Sequence, residues 1–338
     1  MNNLNKAYCG KNVMITGGMG QMGSTVARLL VELSANVKII DAMLPMYGGN
    51  EFNIRGLEDK IEVCYADIRD APAMNRLVKN QDFIFNFAGQ VSHNDSISNP
   101  DLDLAINCQG HLNVLNAVKN YNPKAKILYS GSRIQFGKIV YLPVDEHHPR
   151  IPLSVYGVHK NTGEQYYQAY FKHHNIKTVC FRIANPYGPR AQMKHHKYTM
   201  PNWFIRQAME NKTIPIFGDG SQLRDYMYID DLANAFVVAG ASEKADGEVF
   251  NIGSGVGTRF VDMVNLIIKT VGSGKTISVP WPKNYENVET GDYVANITKI
   301  TKTLDWKPLA SLEAGIKKTV DYYKKNKQHY FNNVHATF

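Results

Sequence analysis

Short apolar runs alternate with longer stretches of helical periodicity through the first half of the chain. Asn12–Thr16, Val37–Asp41, Ile61–Tyr65, Phe83–Phe87, Lys126–Ser130 and Lys177–Arg182 are β-rich and read as strands. Apolar positions at helical spacing predict helices from about Gln21 to Leu33, from about Leu102 to Asn120, and over Val155–His174. Strands alternating with helices predict parallel pairing through helical crossovers, and the nearly continuous apolar runs predict a sheet covered on both faces. The expected fold class is α/β with a doubly wound parallel sheet.

After Arg182 the rhythm breaks. Asn185–Arg190 and Phe217–Ser221 are rich in Gly and Pro and read as loops, whereas Val249–Ile252 reads as a strand that rejoins the sheet. The expected organisation is a sheet-bearing lobe over residues 1–182, with 225–258 returning to it, and a smaller interleaved substrate-binding lobe from 183–224 and 259–338. A chain of 338 residues buries a sizeable core in either one domain or two lobes.

The turn between the first strand and the first helix, Thr16–Gly23, carries Gly17, Gly20 and Gly23 at intervals of three, with Gln21 and Met22 opening the helix. Glycines in that context let the backbone turn tightly and approach a pyrophosphate at the helix N-terminus, the Rossmann arrangement for a dinucleotide. Asp41 ends the second strand, where a carboxylate binds both ribose hydroxyls and repels a 2′-phosphate. No Arg follows it, so the expected cofactor is NAD rather than NADP. Asp67 and Ile68, after the third strand, are placed to contact adenine, and Asp67 equally suits the N-cap of the helix containing Met74. Phe87, Ala88 and Gly89 end the fourth strand and leave the dinucleotide room to pass, and Ser130 ends the fifth on the same side.

Three further residues supply chemistry. Tyr156 and Lys160 share one face of a helix, one turn apart, and Ser132 follows the fifth strand. A Tyr-x-x-x-Lys spacing alone is weak, since Tyr323 and Lys327 repeat it near the C-terminus. In this order behind a dinucleotide turn, the three are expected to be catalytic, with Lys160 and the cofactor's positive ring lowering the phenol's pKa from its usual value of about 10. Ser132 is placed to bind the same substrate oxygen.

Composition refines this picture. Apolar content of 44% and charged content of 20% are ordinary for a globular protein. No apolar run approaches the roughly 18–20 residues that span a bilayer, and the start lacks the apolar region of a signal peptide, so no membrane partner is expected. The cysteines, Cys9, Cys64, Cys108 and Cys180, have no metal or Cys-x-x-Cys spacing. Three of them sit in apolar or helical contexts and predict buried free thiols in a reducing compartment, hence a cytoplasmic location. A net charge of +8 is scattered apart from Lys317–Lys318 and 324–327, and no nucleic-acid motif accompanies it; a solvated helix face is expected there. A positive protein suits a small anionic substrate such as a nucleotide diphosphate. The doubled histidines at 147/148, 173/174 and 195/196 lack the spacing of a zinc motif, so no metal is expected.

The chain resembles extended short-chain dehydrogenases/reductases of the nucleotide-sugar epimerase/dehydratase family from about Lys11 to Pro308. The matching motifs are the Gly17–Gly23 turn, Phe87–Gly89, Ser130–Ser132 with Phe136–Gly137, Tyr156–Lys160, Arg182–Pro189, Phe217–Tyr226 and Ile229–Ala233. The resemblance implies a nucleoside-diphosphate sugar as substrate, with Asn185 and Arg224 on its diphosphate and Gln90, Ser92, His93 and Asn94 along the sugar. It also implies that Asn107 lies near the catalytic cluster. Arg224 has a simpler alternative, a salt bridge to Asp225 or Asp219. The helices over 102–120 and 155–174 resemble those of the family's homodimer interface, and Tyr166, Tyr167, Tyr170 and Phe171 suit either that face or the core.

Two departures matter. Where many relatives carry a second diphosphate-binding Arg, this chain has Glu289–Asp292, leaving that role absent or supplied by Lys194 or Arg259. After Ser132, where dehydrating relatives carry Asp-Glu and decarboxylating ones Glu, this chain has Arg133, Ile134 and Gln135. Removing water needs a positioned acid and base, so dehydration is disfavoured. Arg133 is open between a substrate carboxylate, a pyrophosphate and solvent. The expected reaction is epimerisation at C4 through a transient 4-keto sugar. Its alternatives are C2 epimerisation, uronate decarboxylation, 4,6-dehydration, or a non-catalytic NAD-binding regulator.

Overall fold

The computed structural model of the protein describes residues 2–283 and 289–331. Six strands, β1 (Asn12–Thr16), β2 (Asn36–Asp41), β3 (Ile61–Tyr65), β4 (Phe83–Asn86), β5 (Lys126–Ser132) and β6 (Thr178–Ile183), enter one sheet. After β7 (Asn185–Tyr187), β8 (Thr213–Phe217) and β9 (Leu223–Tyr228), β10 (Val249–Ile252) completes it beside β6. The order is β10-β6-β5-β4-β1-β2-β3, every pair parallel. Winding reverses between β1 and β4, and an open α/β sheet forms its ligand crevice at the carboxyl ends around such a point.

Alternate side chains of each strand feed two cores. Val13 and Ile15 of β1, Phe85 of β4 and Leu128 of β5 pack on one face with Val26, Ala27 and Leu30 of α1 (Gln21–Glu32). Met14, Ile84 and Ile127 pack on the other with Val114, Leu115 and Val118. β5 and β6 are buried at every position, as strands covered on both faces must be.

Several boundaries differ from expectation. β5 runs on to Ser132, so this residue ends the strand instead of following it. The helix expected over 102–120 is broken: short helices His93–Ser98 and Pro100–Leu104 lead into a π-helical turn over Ala105–Gly110, then a regular helix over His111–Tyr121. Gly110 sits in the turn because a Cβ there would lie 2.6 Å from the Ile68 side chain. The Val155–His174 helix is as expected, started by Ser154, whose hydroxyl accepts from Gly157 N, and stopped by Asn175 in the left-handed region. Asp70, not Asp67, caps the helix containing Met74, accepting from Ala73 N at 3.0 Å.

Of the 225–258 segment, β10 enters the large sheet, whereas β9 joins a three-stranded sheet with β7 and β11 (Gly257–Arg259). That small sheet places Asn185 and Arg224 over the crevice. The four cysteines are free; Cys108 and Cys180 are buried but Cys64 is only partly so and Cys9 is exposed, giving two buried thiols in place of three. Tyr167 belongs to the core: it is fully buried, stacks on Tyr129 and accepts a 2.6 Å hydrogen bond from Asn86. Among the described residues no helix is long and apolar enough to cross a membrane.

Candidate active site

A cavity of about 1020 Å³ extends from the glycine turn, past the ends of β4 and β5, to the small sheet. Gly17, Gly20, Gln21, Met22, Gly23, Asp41, Asp67, Ile68, Phe87, Ala88, Gly89 and Ser130 line one part of it, so the structure gathers these expected cofactor residues in one place. Gly17 has φ +63, and a Cβ there would lie 2.8 Å from Ala88 N, while one on Gly23 would collide with the Gly17 carbonyl. Only glycine lets the turn nest this closely, and the cradle it leaves at the N-terminus of α1 fits a dinucleotide pyrophosphate. Asp41 holds the turn in shape by accepting from Met19 N at 3.0 Å and Met43 N at 2.9 Å; burial raises its pKa against those two donors. Asp67 is engaged by Arg69 at 2.6 Å.

Ser132, Tyr156 and Lys160 meet where β5 ends against the Val155–His174 helix. The Ser132 hydroxyl accepts from Ile134 N at 3.3 Å and acts on the Tyr156 phenol, whose pKa it pulls downward. Lys160 Nζ donates to the Ser130 carbonyl at 3.0 Å, and Gly89 admits it, since a Cβ there would lie 3.2 Å from Nζ. Burial lowers the Lys160 pKa to about 8, with Asp103 acting in the opposite sense. Burial drives the phenol well above its ordinary value, Ser132 pulls it downward, the Asp103 charge pushes it up again, and the Arg133 charge lowers it. The lowering expected from Lys160 does not appear: desolvation dominates, and the ammonium is turned toward the Ser130 carbonyl.

On the sugar side the expectations divide. Ser92 and His93 line the cavity, but the Ser92 hydroxyl accepts from Asp95 N at 3.1 Å as a helix cap. His93 packs its ring 5.2 Å from that of Tyr156, and burial, then the Arg133 charge, lowers its pKa to about 4, leaving a neutral imidazole at the cavity wall. Gln90 is corrected. It is buried, folds back on Ser92, and accepts at its backbone carbonyl from Asn107 Nδ2 at 2.9 Å. Neither Gln90 nor Asn107 is among the described residues that line the cavity; the pair fixes the loop behind it.

Arg133 does not face open solvent. It is 9% exposed, donates to Asn185 Oδ1 at 3.3 Å and Thr290 Oγ1 at 3.0 Å, and lies over the Tyr293 ring. Asn185 also donates to the Asp225 carbonyl at 2.9 Å. Arg224 lines the cavity beyond them and is ion-paired, but with Glu289 at 2.6 Å; Asp225 is instead buried under Ser254, Gly255 and Ala295. Among the described residues neither Lys194 nor Arg259 lines the cavity, and Arg259 pairs with Asp262. Sequence reasoning missed the far wall, where Tyr198, Trp203, Phe260 and Trp281 gather. These lie on separate loops and helices with no shared spacing, so only their aromatic character on the chain's second half marked them.

The fold and this cavity define an enzyme of the short-chain dehydrogenase/reductase type. Residues 13–253 match the model of the NAD dependent epimerase/dehydratase family. A putative UDP-glucose 4-epimerase of Methanocaldococcus jannaschii is 32% identical, covering 93% of this chain and 99% of that protein. Among solved structures, an epimerase of Methanothermobacter thermautotrophicus superposes with a TM-score of 0.90 at 28% identity, covering 97% of this chain and 96% of that one. The UDP-glucose 4-epimerase of Thermotoga maritima, solved with UDP-glucose, gives 0.85 at 30%, with 94% and 99% covered. The chain therefore belongs to the NAD dependent epimerase/dehydratase family, and its cofactor is NAD.

Proposed function

We propose that the enzyme epimerises a nucleoside-diphosphate sugar at C4 through a transient 4-keto sugar. The carrying observation is the junction of Ser132, Tyr156 and Lys160 with Arg133, a cation in the position where an eliminating enzyme needs an acid. Among the described residues lining the cavity the carboxylates are Asp41, Asp67 and Glu289, engaged respectively by backbone amides, Arg69 and Arg224.

Bound NAD, held by the Gly17–Gly23 turn, Asp41 and Lys160, supplies a reversible hydride acceptor. Tyr156 takes the proton of the C4 hydroxyl as the carbonyl forms and returns it to the inverted hydroxyl. Ser132 hydrogen-bonds the reacting oxygen and the phenol together, so the proton has a short path. Lys160 supplies positive charge beside the phenolate. Asn185 and Arg224 hold the diphosphate while the keto sugar turns its other face to the cofactor, so that reorientation occurs without escape. Arg133 and His93 bound the space in which it turns.

Residues 1–182 with β10 hold the cofactor and bring Ser132, Tyr156, Arg133 and His93 to the sugar, and the remainder brings Arg224 to the diphosphate. The protein acts as a homodimer through the Pro100–Tyr121 and Val155–His174 faces, where Leu104 and Val158 are 48% and 46% exposed; sedimentation at micromolar concentration tests this. For the reaction, NAD-loaded protein is incubated with UDP-, CDP-, dTDP- and GDP-sugars and followed by NMR. A C4 epimer is expected from one of them. A stable keto product that has lost water or CO₂ would sink the reading.

A further inference from the structure

Arg224 reaches the cavity already holding a carboxylate. Its Nη2 lies 2.6 Å from Glu289 Oε1, while Nη1 donates to the backbone carbonyls of Leu223 at 2.9 Å and Gly291 at 3.0 Å. Both side chains line the cavity, and they are 11% and 23% exposed. Glu289 Oε1 also accepts from Gly291 N at 3.0 Å. The loop that carries Glu289 is stitched to β9, with Leu223 N donating to Asp292 at 2.8 Å and Tyr293 N to the Leu223 carbonyl at 3.1 Å. The guanidinium is thus anchored through one nitrogen and paired through another. It keeps its place if the carboxylate leaves.

We propose that Arg224 and Glu289 form an exchange clasp in which an incoming diphosphate displaces the Glu289 carboxylate from Nη2, making Glu289 the residue that sets how tightly the diphosphate is held. This rests on the reading of Arg224 as a diphosphate ligand. Two anions compete for one edge of a guanidinium, and the one with more charge and more acceptor oxygens holds it. A diphosphate displaces the carboxylate; a monophosphate, with fewer oxygens in reach, does so less completely. A displaced carboxylate beside the bound diphosphate also repels it. Glu289 therefore lowers affinity most for the diphosphate, which must displace it fully, and less for a monophosphate that leaves the pair largely intact.

The test titrates NAD-loaded wild type, E289Q, E289A and R224Q by calorimetry with UDP, dTDP, CDP and GDP and with the matching monophosphates. The diphosphate that wild type accepts is expected to bind both Glu289 variants about tenfold tighter. The matching monophosphate is expected to gain less, so that the ratio between the two ligands widens. R224Q is expected to lose affinity for both. Unchanged or weaker diphosphate binding in E289Q and E289A, with R224Q still impaired, overturns the clasp and leaves the diphosphate reading of Arg224 standing. Full affinity in R224Q overturns both. Failure of every nucleoside diphosphate to bind any of the four proteins removes the diphosphate subsite and the clasp with it.

Discussion

Lys160 Nζ donates to the Ser130 carbonyl at 3.0 Å and stands 5.9 Å from the centre of the Tyr156 ring. The ammonium is thus placed by the end of β5 and turned toward its carbonyl edge, not toward the phenol. Its neighbour behind is Asp103, fully buried and 2.5 Å from His159 Nδ1.

Activity that needs the Lys160 ammonium should fall as pH rises through about 8, the value to which burial lowers it. Asp103 raises that pKa, so D103N should move the alkaline limb of kcat/KM to lower pH. Stability runs the other way: between about 8 and the ordinary 10.5 the unfolded chain holds the proton more tightly, so stability rises with pH across that window. Coincident alkaline limbs in wild type and D103N would refute the coupling.

Y156F should lower kcat by about 10²–10⁴ with KM little changed, since the phenol proton moves only in the reaction. S132A should cost less, because the phenol remains in place and only its shared hydrogen bond goes. Steady-state turnover of the C4 epimer decides the order; an S132A defect larger than that of Y156F contradicts it.

Glu164, 1% exposed in its side chain, accepts from Arg182 at 2.8 and 2.9 Å, from Arg150 at 2.6 Å and from Gln135 at 2.7 Å. E164Q leaves two guanidinium groups without their shared anion and should destabilise the fold by about 3–5 kcal/mol. Urea unfolding at neutral pH measures this, and a loss below about 1 kcal/mol, the scale of an exposed pair, would show that solvent already screens the cluster.

His93, whose pKa is lowered to about 4 by burial and then by Arg133, takes up a proton near pH 6.5 in the unfolded chain and later in the folded one. Stability should therefore fall as pH drops from about 6.5 toward 4. H93N should flatten that slope in denaturant titrations at pH 4.5 and 7. An equal slope in the variant would assign the acid sensitivity to other groups, such as the buried His111.

The elements legible in the sequence were those fixed by local pattern. Apolar runs marked β1, β3 and the Val155–His174 helix, and glycines at intervals of three marked the turn whose close nesting only glycine allows. Lines of chemistry written in tertiary contacts were not legible. Nothing near Gln90 shows that it folds onto Ser92, because that depends on Asn107 reaching its carbonyl. Glu289 reads only as the absence of an Arg, and its pairing with Arg224 depends on the loop–β9 stitching across 65 residues. The phenol's pKa is not legible for a related reason: spacing supplies the neighbouring charge but not the degree of burial that outweighs it.

β10 arrives late. Its register on β6, from Val249 opposite Cys180 to Ile252 opposite Ile183, fills an edge whose every residue is buried in the finished sheet. During synthesis, the first six strands emerge with that edge open until residue 252 has left the ribosome. An unpaired, apolar strand edge is a template for another chain. The nascent protein therefore passes through an interval in which its best partner has not yet been made, and a product cut short before β10 carries a permanent adhesive edge.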